Sequence, residues 1–218
     1  MTDQAWWFLA RASGLIAFYL AAASTLFGLA ISGRTMRGRV TAKSLTDTHE
    51  ALSIATILVS VVHVMALVAD SYIEFSVVEM LVPGRTPWRT TASALGIVAF
   101  WLAVLVTGSF YVRKLIGLKA WRAFHYTSFA VVVLGLVHGL LTGADTKNRV
   151  VQASYIACGL AVIVLTAVRM SPRRRAELAN RTAARIATIR VKVSGKSESL
   201  PEDGLPAPDP FVLPARMR

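Results

Sequence analysis

Long runs of apolar residues, broken by short polar segments, dominate the first 170 residues of the chain. Five runs stand out, four of them without any Lys, Arg, Asp or Glu and the first interrupted only by Arg11: residues 6–32, 51–69, 90–112, 123–144 and 150–168. Each run is long enough to cross about 30 Å of hydrocarbon at about 1.5 Å per helical residue. The pattern predicts an all-α, polytopic membrane bundle of five transmembrane helices within residues 1–170.

Composition supports a membrane protein. Of the 218 residues, 55% are hydrophobic and 17% are charged, and the mean hydropathy is +0.55, whereas about 25% of an ordinary soluble domain is charged. This excludes a soluble globular or disordered protein over the first 170 residues. Cys158 is the single cysteine, which excludes an intrachain disulfide and a CxxC redox or zinc site.

The basic residues alternate with the apolar runs, and their placement predicts topology. Three groups of four follow the first, third and fifth helices: Arg34, Arg37, Arg39 and Lys43; Arg113, Lys114, Lys119 and Arg122; Arg169, Arg173, Arg174 and Arg175. By the positive-inside rule, the N-terminus lies outside and the C-terminus is cytoplasmic. The net charge of +12 therefore reports a multi-pass protein of the cell (plasma or inner) membrane, and no nucleic-acid partner is expected.

The composition changes after Met170. Residues 171–195 are rich in Arg and Ala and predict a basic cytoplasmic surface helix against anionic lipid. Residues 196–218 contain five prolines and predict a disordered tail. No GxGxxG or Walker loop occurs in the chain, so no nucleotide-binding domain is expected.

All four histidines lie on the second and fourth predicted helices. His49 and His63 are 14 residues apart, and His125 and His138 are 13 apart, with His49 and His125 each expected to open a helix. The two helices run in the same direction, because one antiparallel helix separates them. His49 and His125 should therefore share one depth and His63 and His138 another, about 20 Å away.

Paired imidazoles at two depths suit two haem groups. Iron held by two axial histidines has no open position and transfers electrons with little rearrangement. We expect two haem groups, with His49 and His125 on the inner iron and His63 and His138 on the outer iron. Hydroxyls nearby would accept the second ring N–H: Thr46, Thr48, Ser128 and Thr142 are the candidates.

The two spacings differ in how well they fit one helical face. At about 100° per residue, 14 residues bring His63 to within about 40° of His49, but 13 residues leave His138 about 140° from His125. The second pair therefore requires a local change of winding or a haem reached from the other flank. Gly135 and Gly139 bracket His138 and are expected to allow close approach there.

Two arginines are candidates for contact with haem propionates. Arg11 lies about 8 Å inside the outer end of the first helix, where an arginine needs an anion; the alternative is that it snorkels to the headgroups. Arg122 precedes His125 by three residues and either meets an inner propionate or anchors the helix at the cytoplasmic interface.

Short strings around these positions resemble the ferric reductase-like transmembrane family, which includes NADPH oxidases, ferric reductases and the haem subunit of methionine sulfoxide reductase. They are WWFLARASG (6–14), residues 48–64, ALG (94–96), AWRAFH (120–125), His138-Gly139 and Gly143-Ala144-Asp145. The resemblance covers roughly residues 5–170, and the strings are similar to those of short actinobacterial-type members. It implies axial ligation of two b haems and transmembrane electron flow. The chain departs from larger members in having five helices where six are usual, and no flavin or NAD(P)H domain is expected.

Three functions remain open. The first is a di-haem cytochrome, an oxidoreductase subunit that passes electrons from a cytoplasmic flavin reductase to external ferric iron or a redox protein. The second is a quinol-linked haem subunit that serves an extracytoplasmic redox partner. The third is a metal or proton transporter with histidines in its pathway. The expected absence of Asp or Glu inside helices two to five disfavours the transporter.

Overall fold

The structure is a computed structural model that describes residues 3–33, 41–71, 73–171 and the helical pieces 179–180, 182–184, 186–189 and 191. The regular elements described are all helical: α1 (Asp3–Gly33), α2 (Ala42–Ala69), α3 (Val77–Leu81), α4 (Thr90–Ile116), α5 (Leu118–His125), α6 (Ser128–Thr142), a 3₁₀ turn (Ala144–Lys147) and α7 (Arg149–Met170). The all-α fold is thus confirmed over these residues.

Five segments are long and apolar enough to cross a membrane: α1, α2, α4, α5 with α6, and α7. Large aliphatic side chains on these segments are exposed, as for Leu58 and Met65 on α2, Leu105 on α4 and Ile163 on α7. Apolar exposure of this kind is what contact with lipid tails requires. The prediction of five helices long and apolar enough to span a membrane is confirmed over the described residues.

α2 begins earlier than its charge-free run. Its N-cap is Thr41, whose hydroxyl accepts the Ser44 N–H at 3.1 Å, and Lys43 pairs with Asp47 one turn later. Charged residues are compatible with a helix that extends beyond the hydrocarbon, so charge alone sets the boundary too late. The prediction that His49 opens the helix is wrong: His49 lies two turns inside α2.

The fourth membrane segment is interrupted at Tyr126 and Thr127. Around this break the N–H groups of Tyr126, Thr127, Phe129 and Ala130 each bond the carbonyl three residues earlier, which is the 3₁₀ pattern. Winding at about 120° instead of 100° per residue adds roughly 80° over four residues. The expected change of winding is therefore present, but His125 ends α5 and does not open a helix.

A small aromatic core joins α1, α6 and α7. Phe18 and Tyr155 pack edge to face with ring centroids 4.9 Å apart, and Val132 and Val162 complete the buried cluster. The hydroxyl of Tyr19 is 2.5 Å from that of Ser154. These contacts pack α7 beside α1 and α6.

Gly135 and Gly139, which bracket His138 on α6, lie against this core. A Cβ on Gly139 would lie 3.0 Å from the Tyr155 hydroxyl oxygen, and one on Gly135 would meet only Phe18, at 3.9 Å. Both glycines line the cavity that His138 also lines, and the prediction that they allow close approach at His138 stays a prediction.

The segment between α2 and α4 folds into an ordered cap. Ser76 starts α3 with a capping box to Glu79, and these hydrogen bonds hold the pKa of the Glu79 carboxyl below its usual range. Thr86 is only 1% exposed and donates to the Glu79 carbonyl at 2.7 Å. Trp101 on α4 donates to the Leu81 carbonyl at 2.9 Å, which ties the cap to the bundle.

The chain divides into two units, Met1–Arg169 and Met170–Arg218. Within the predicted surface helix, 171–195, the described pieces between residues 179 and 191 are helical. The predicted disordered tail, 196–218, lies outside the described residues.

Arg11 pairs with an acidic side chain of the protein itself. Its Nε donates to Asp145 Oδ2 at 2.9 Å, and its Nη2 contacts the other carboxylate oxygen. The guanidinium also lies 4.0 Å from the centroid of the Trp7 ring. About a quarter of each charged side chain is exposed, so this bidentate pair ties α1 to the 3₁₀ turn before α7 in a partly dry setting.

Removing either partner should leave an uncompensated charge. We expect Arg11→Gln and Asp145→Asn each to lower the melting temperature of the detergent-solubilised protein, and the double variant to melt close to the single variants. Thermal unfolding of the four proteins gives the coupling, expected at about 0.5–3 kcal/mol. Strict additivity would show that the pair contributes nothing.

Candidate functional site

Two cavities lie inside the bundle, and each is lined by two histidines. The first, of about 400 Å³, is lined by His63 and His138. The second, of about 460 Å³, is lined by His49 and His125. We call them the His63–His138 cavity and the His49–His125 cavity. Both volumes fall in the range of about 300–1,000 Å³ that is typical of ligand sites, and the structure brings the histidines together in the pairs that their depths predict.

A single layer of side chains separates the two cavities. Four residues line both, one from each of α1, α2, α4 and α6: Ala21, Thr56, Ala103 and Val131. Thr56 lies seven residues from both His49 and His63. The layer contains two alanines and no aromatic ring, so the wall between the cavities is thin.

In the His49–His125 cavity, the two imidazoles face each other closely. Their ring centroids are 6.1 Å apart and their planes make an angle of 78°. Two metal–nitrogen bonds of about 2.0 Å and two ring radii of roughly 1.2 Å require about 6.4 Å. The observed spacing of the ring centroids is close to this value and is compatible with one metal ion between the two imidazoles.

Three of the four histidines are held in the same way, by Nδ1 against a backbone carbonyl of a neighbouring helix. The contacts are His63 Nδ1 to Ala10 O at 2.7 Å, His49 Nδ1 to Ser24 O at 2.8 Å and His138 Nδ1 to Ala92 O at 2.8 Å. A carbonyl oxygen only accepts, so Nδ1 must carry the proton. In neutral imidazole this leaves Nε2 with a free lone pair, which is the form that binds metals.

A glycine four residues after each carbonyl makes these contacts possible. The three glycines are Gly14, Gly28 and Gly96, where a Cβ would come within 3.0, 3.3 and 2.7 Å of the ring atoms of His63, His49 and His138. In a helix, residues four apart lie one above the other on the same face. A Cβ at Gly96 would therefore force His138 to shift, and a Cβ at Gly14 or Gly28 would press the imidazole out of place by a few tenths of an ångström.

These glycines and carbonyls are the functional residues that the histidine spacing alone does not reveal. The signal was nevertheless present, because Gly14 and Gly28 are 14 residues apart, as are His49 and His63. Since α1 and α2 are antiparallel, the order is reversed: the earlier glycine faces the later histidine. Two equal spacings on adjacent helices indicate two matched contacts.

His125 departs from this pattern. Its Nδ1 is buried and has no hydrogen-bond partner among the described residues. Its ring lies against Trp121 instead, with centroids 5.1 Å apart. On α4, a Cβ added at Gly108 would meet nothing within 4 Å, so this glycine makes no such contact with an imidazole. Three imidazoles are thus fixed by carbonyls, and the fourth is held by ring contact alone.

The predicted hydroxyl partners do not contact the imidazoles. Thr46, Thr48 and Thr142 each donate to the carbonyl four residues earlier in their own helix, and Ser128 lines the His49–His125 cavity without a described contact to a histidine nitrogen. These hydroxyls donate within their own helix, and no contact between any of them and a ring nitrogen is described. Ser24 is the hydroxyl near a ring nitrogen, 3.0 Å from His49 Nδ1.

The two candidate arginines occupy different settings. Arg11 lines the His63–His138 cavity, and the anion that it needs is supplied by Asp145; contact with a propionate stays a prediction. Arg122 is exposed and lines the His49–His125 cavity. Phe75, Met80 and Trp88 of the cap line the His63–His138 cavity, so the cap covers that end of the bundle.

One carboxylate lies where none was expected. Glu50 is inside α2 and lines the His49–His125 cavity, where Tyr111 of α4 donates to its Oε1 at 2.8 Å. The prediction that helices two to five lack Asp and Glu is wrong, because α2 begins before its charge-free run.

The donor set fits a haem better than a bare metal ion. Among the described residues there is no group of three or more His, Cys, Asp or Glu side chains able to hold a metal ion. Haem needs only two protein ligands, since the macrocycle supplies the other four. Each cavity offers two imidazoles in a largely apolar setting, and at least one imidazole in each has its Nδ1 satisfied.

Comparisons with protein-family models, with curated proteins and with solved structures find no match to this chain.

The glycine contacts can be tested without any cofactor. We expect Gly96→Ala to lower the melting temperature of the protein, because the new Cβ displaces His138 and breaks its bond to Ala92; overpacking of this kind costs about 1–3 kcal/mol. Gly108→Ala on the same helix is the matched control and should be neutral or stabilising by up to about 1 kcal/mol. Equal effects of the two substitutions would contradict the assignment.

Proposed function

We propose that the chain is a di-haem b-type membrane cytochrome that carries electrons across the membrane from a cytoplasmic donor to an external acceptor. The proposal rests on one observation above the others. Three histidines that line two apolar cavities have Nδ1 committed to a backbone carbonyl, which leaves Nε2 available to a metal. A structural histidine would also need its N–H satisfied, so what favours a metal is that these histidines line the same cavities in pairs, two to each cavity.

The resemblance to the ferric reductase-like transmembrane family points in the same direction. We propose membership on the strings given above. Gly14 and Gly96 are the last residues of two of those strings. Each lies against a histidine, Gly14 against His63 and Gly96 against His138, so both strings end on a glycine that leaves room for an imidazole.

The residues of the chain have distinct parts in such a function. When bound, haem supplies iron that accepts and releases one electron. The carbonyls of Ala10, Ser24 and Ala92 fix ring orientation and raise ligand basicity. The apolar walls and the cap exclude water, which limits the rearrangement that accompanies a change of charge.

The dividing layer provides the route between the two sites. Ala21 and Ala103 are small, and Thr56 satisfies its hydroxyl by donating to the Leu52 carbonyl at 2.8 Å. No charged group lies in the layer. With the positive-inside orientation, electrons enter at the His49–His125 site from a flavin reductase and leave past the His63–His138 site to ferric iron or a redox protein.

Glu50 favours quinol as a second candidate for the donor. Oxidation of a quinol releases protons as well as electrons, and Glu50 is a carboxylate at the His49–His125 cavity, held by Tyr111. If quinol is the donor, Glu50→Gln should slow reduction by a soluble quinol analogue while dithionite reduction stays unchanged. Equal rates in the variant would remove the support that Glu50 gives to this donor.

Haem content of the purified full-length chain tests the main proposal. We expect a pyridine haemochrome count of two b haems per chain and low-spin oxidised and reduced spectra. His63→Ala should remove the haem of its own cavity or leave it without its normal spectrum, and should stop transfer to an external acceptor while the His49–His125 haem stays reducible.

Val61→Ala is the matched control, because this residue is exposed on the same helix two positions from His63. It should keep both haems and normal transfer. No haem after haem-supplemented expression would refute the cytochrome and favour the transporter, and unchanged spectra in His63→Ala would refute the assignment of ligands.

A further inference from the structure

The two ends of the bundle differ in how firmly they hold their imidazoles. In the His63–His138 cavity both rings bond a carbonyl through Nδ1. In the His49–His125 cavity only His49 does, and His125 Nδ1 is buried with no partner among the described residues. The difference is one of contacts between side chains and backbone of the protein itself.

The backbone at His125 adds to this difference. His125 is the last residue of α5, and the 3₁₀ break at Tyr126 and Thr127 follows at once. His49, His63 and His138 lie within continuous helices. A ring at a helix end is carried by less fixed backbone than a ring in the middle of a helix.

Both differences weaken a metal bond. A ligating histidine whose other ring nitrogen lacks an acceptor is less basic and less well oriented, and loss of such a partner typically costs about 10–100-fold in metal affinity. The Trp121 ring packs against one face of His125, but stacking supplies no acceptor for Nδ1. Trp121 Nε1 is itself buried without a described partner.

We propose that His125 is the displaceable ligand of its site, so that the His49–His125 cavity binds a small exogenous ligand at the iron and the His63–His138 cavity does not. The ligand class is a small uncharged molecule that coordinates iron, such as a diatomic gas. This inference rests on the proposed function, since it requires haem in the cavity. An iron with two fixed histidine ligands has no open position, whereas an iron whose His125 can leave has a position for a further ligand.

Carbon monoxide is the probe, applied to the dithionite-reduced, full-length holoprotein. We expect one CO per chain, with a binding rate that levels off at high CO because departure of His125 becomes limiting. In His125→Gly the rate should instead rise in proportion to CO concentration. In His138→Gly the levelling phase should persist and a second, proportional phase should appear.

Gly96→Ala and Gly108→Ala form a matched pair on α4. Gly96→Ala displaces His138 from its carbonyl and should raise CO binding from one towards two per chain, whereas Gly108→Ala should leave it at one. If His125→Gly loses haem during purification, expression with added imidazole supplies the missing ligand, and washing the imidazole out then exposes the site to CO.

The outcomes separate the two proposals. Haem present with no CO bound at either site, or CO bound equally at both, overturns the assignment of His125 and leaves the cytochrome standing. CO binding that His125→Gly does not alter also overturns it. A full-length chain without haem refutes the proposed function itself, and the assignment of His125 with it.

Discussion

The hydrogen bond from a histidine Nδ1 to a helix carbonyl is the interaction on which the rest of the site depends. It appears at His49, His63 and His138, in each case with a glycine four residues after the accepting carbonyl. The carbonyl already accepts the helical N–H of that glycine, so the imidazole uses its second lone pair and costs the helix nothing. A polar ring is thereby satisfied within the membrane-spanning bundle, where an unpaired polar group would be costly. The same bond selects the tautomer that carries its proton on Nδ1 and leaves the lone pair of Nε2 free.

This constraint also fixes how the helices pair. Gly14 and Gly28 require α1 to lie close along α2 in one register, because a shift of a single residue would place a Cβ against an imidazole. Gly96 does the same for α4 and α6.

The aromatic contacts of Phe18 and Tyr155 then attach α7, and the pair formed by Arg11 and Asp145 fastens α1 to the turn before α7. The two cavities are what remains between two close helix pairs, and Ala21, Thr56, Ala103 and Val131 divide that space because they lie midway between the histidine levels.

The sequence predicts the helices well because apolar length is a strong signal: five charge-free or nearly charge-free runs became five candidate spans. It predicts helix ends poorly, since Lys43, Asp47 and Glu50 are compatible with a helix that extends past the hydrocarbon.

The pairing of histidines follows from depth, and the 13-residue spacing correctly demands the tighter winding found at Tyr126. The hydrogen-bond partners of the histidines cannot be predicted from residue type. They are backbone carbonyls, which carry no sequence signature, and the nearby threonines donate to their own helices instead. Only the equal spacing of Gly14 with Gly28 and of His49 with His63 held that information.

If the chain is a di-haem cytochrome, each cavity holds a flat iron macrocycle between two imidazoles, and an experimental map of the air-oxidised, full-length protein in detergent tests this most directly. We expect two planar densities, one in each cavity, with a strong peak between His49 and His125 and another between His63 and His138, each met by Nε2. Cavities filled by lipid or water alone, or imidazoles turned so that Nδ1 faces the cavity, would contradict it.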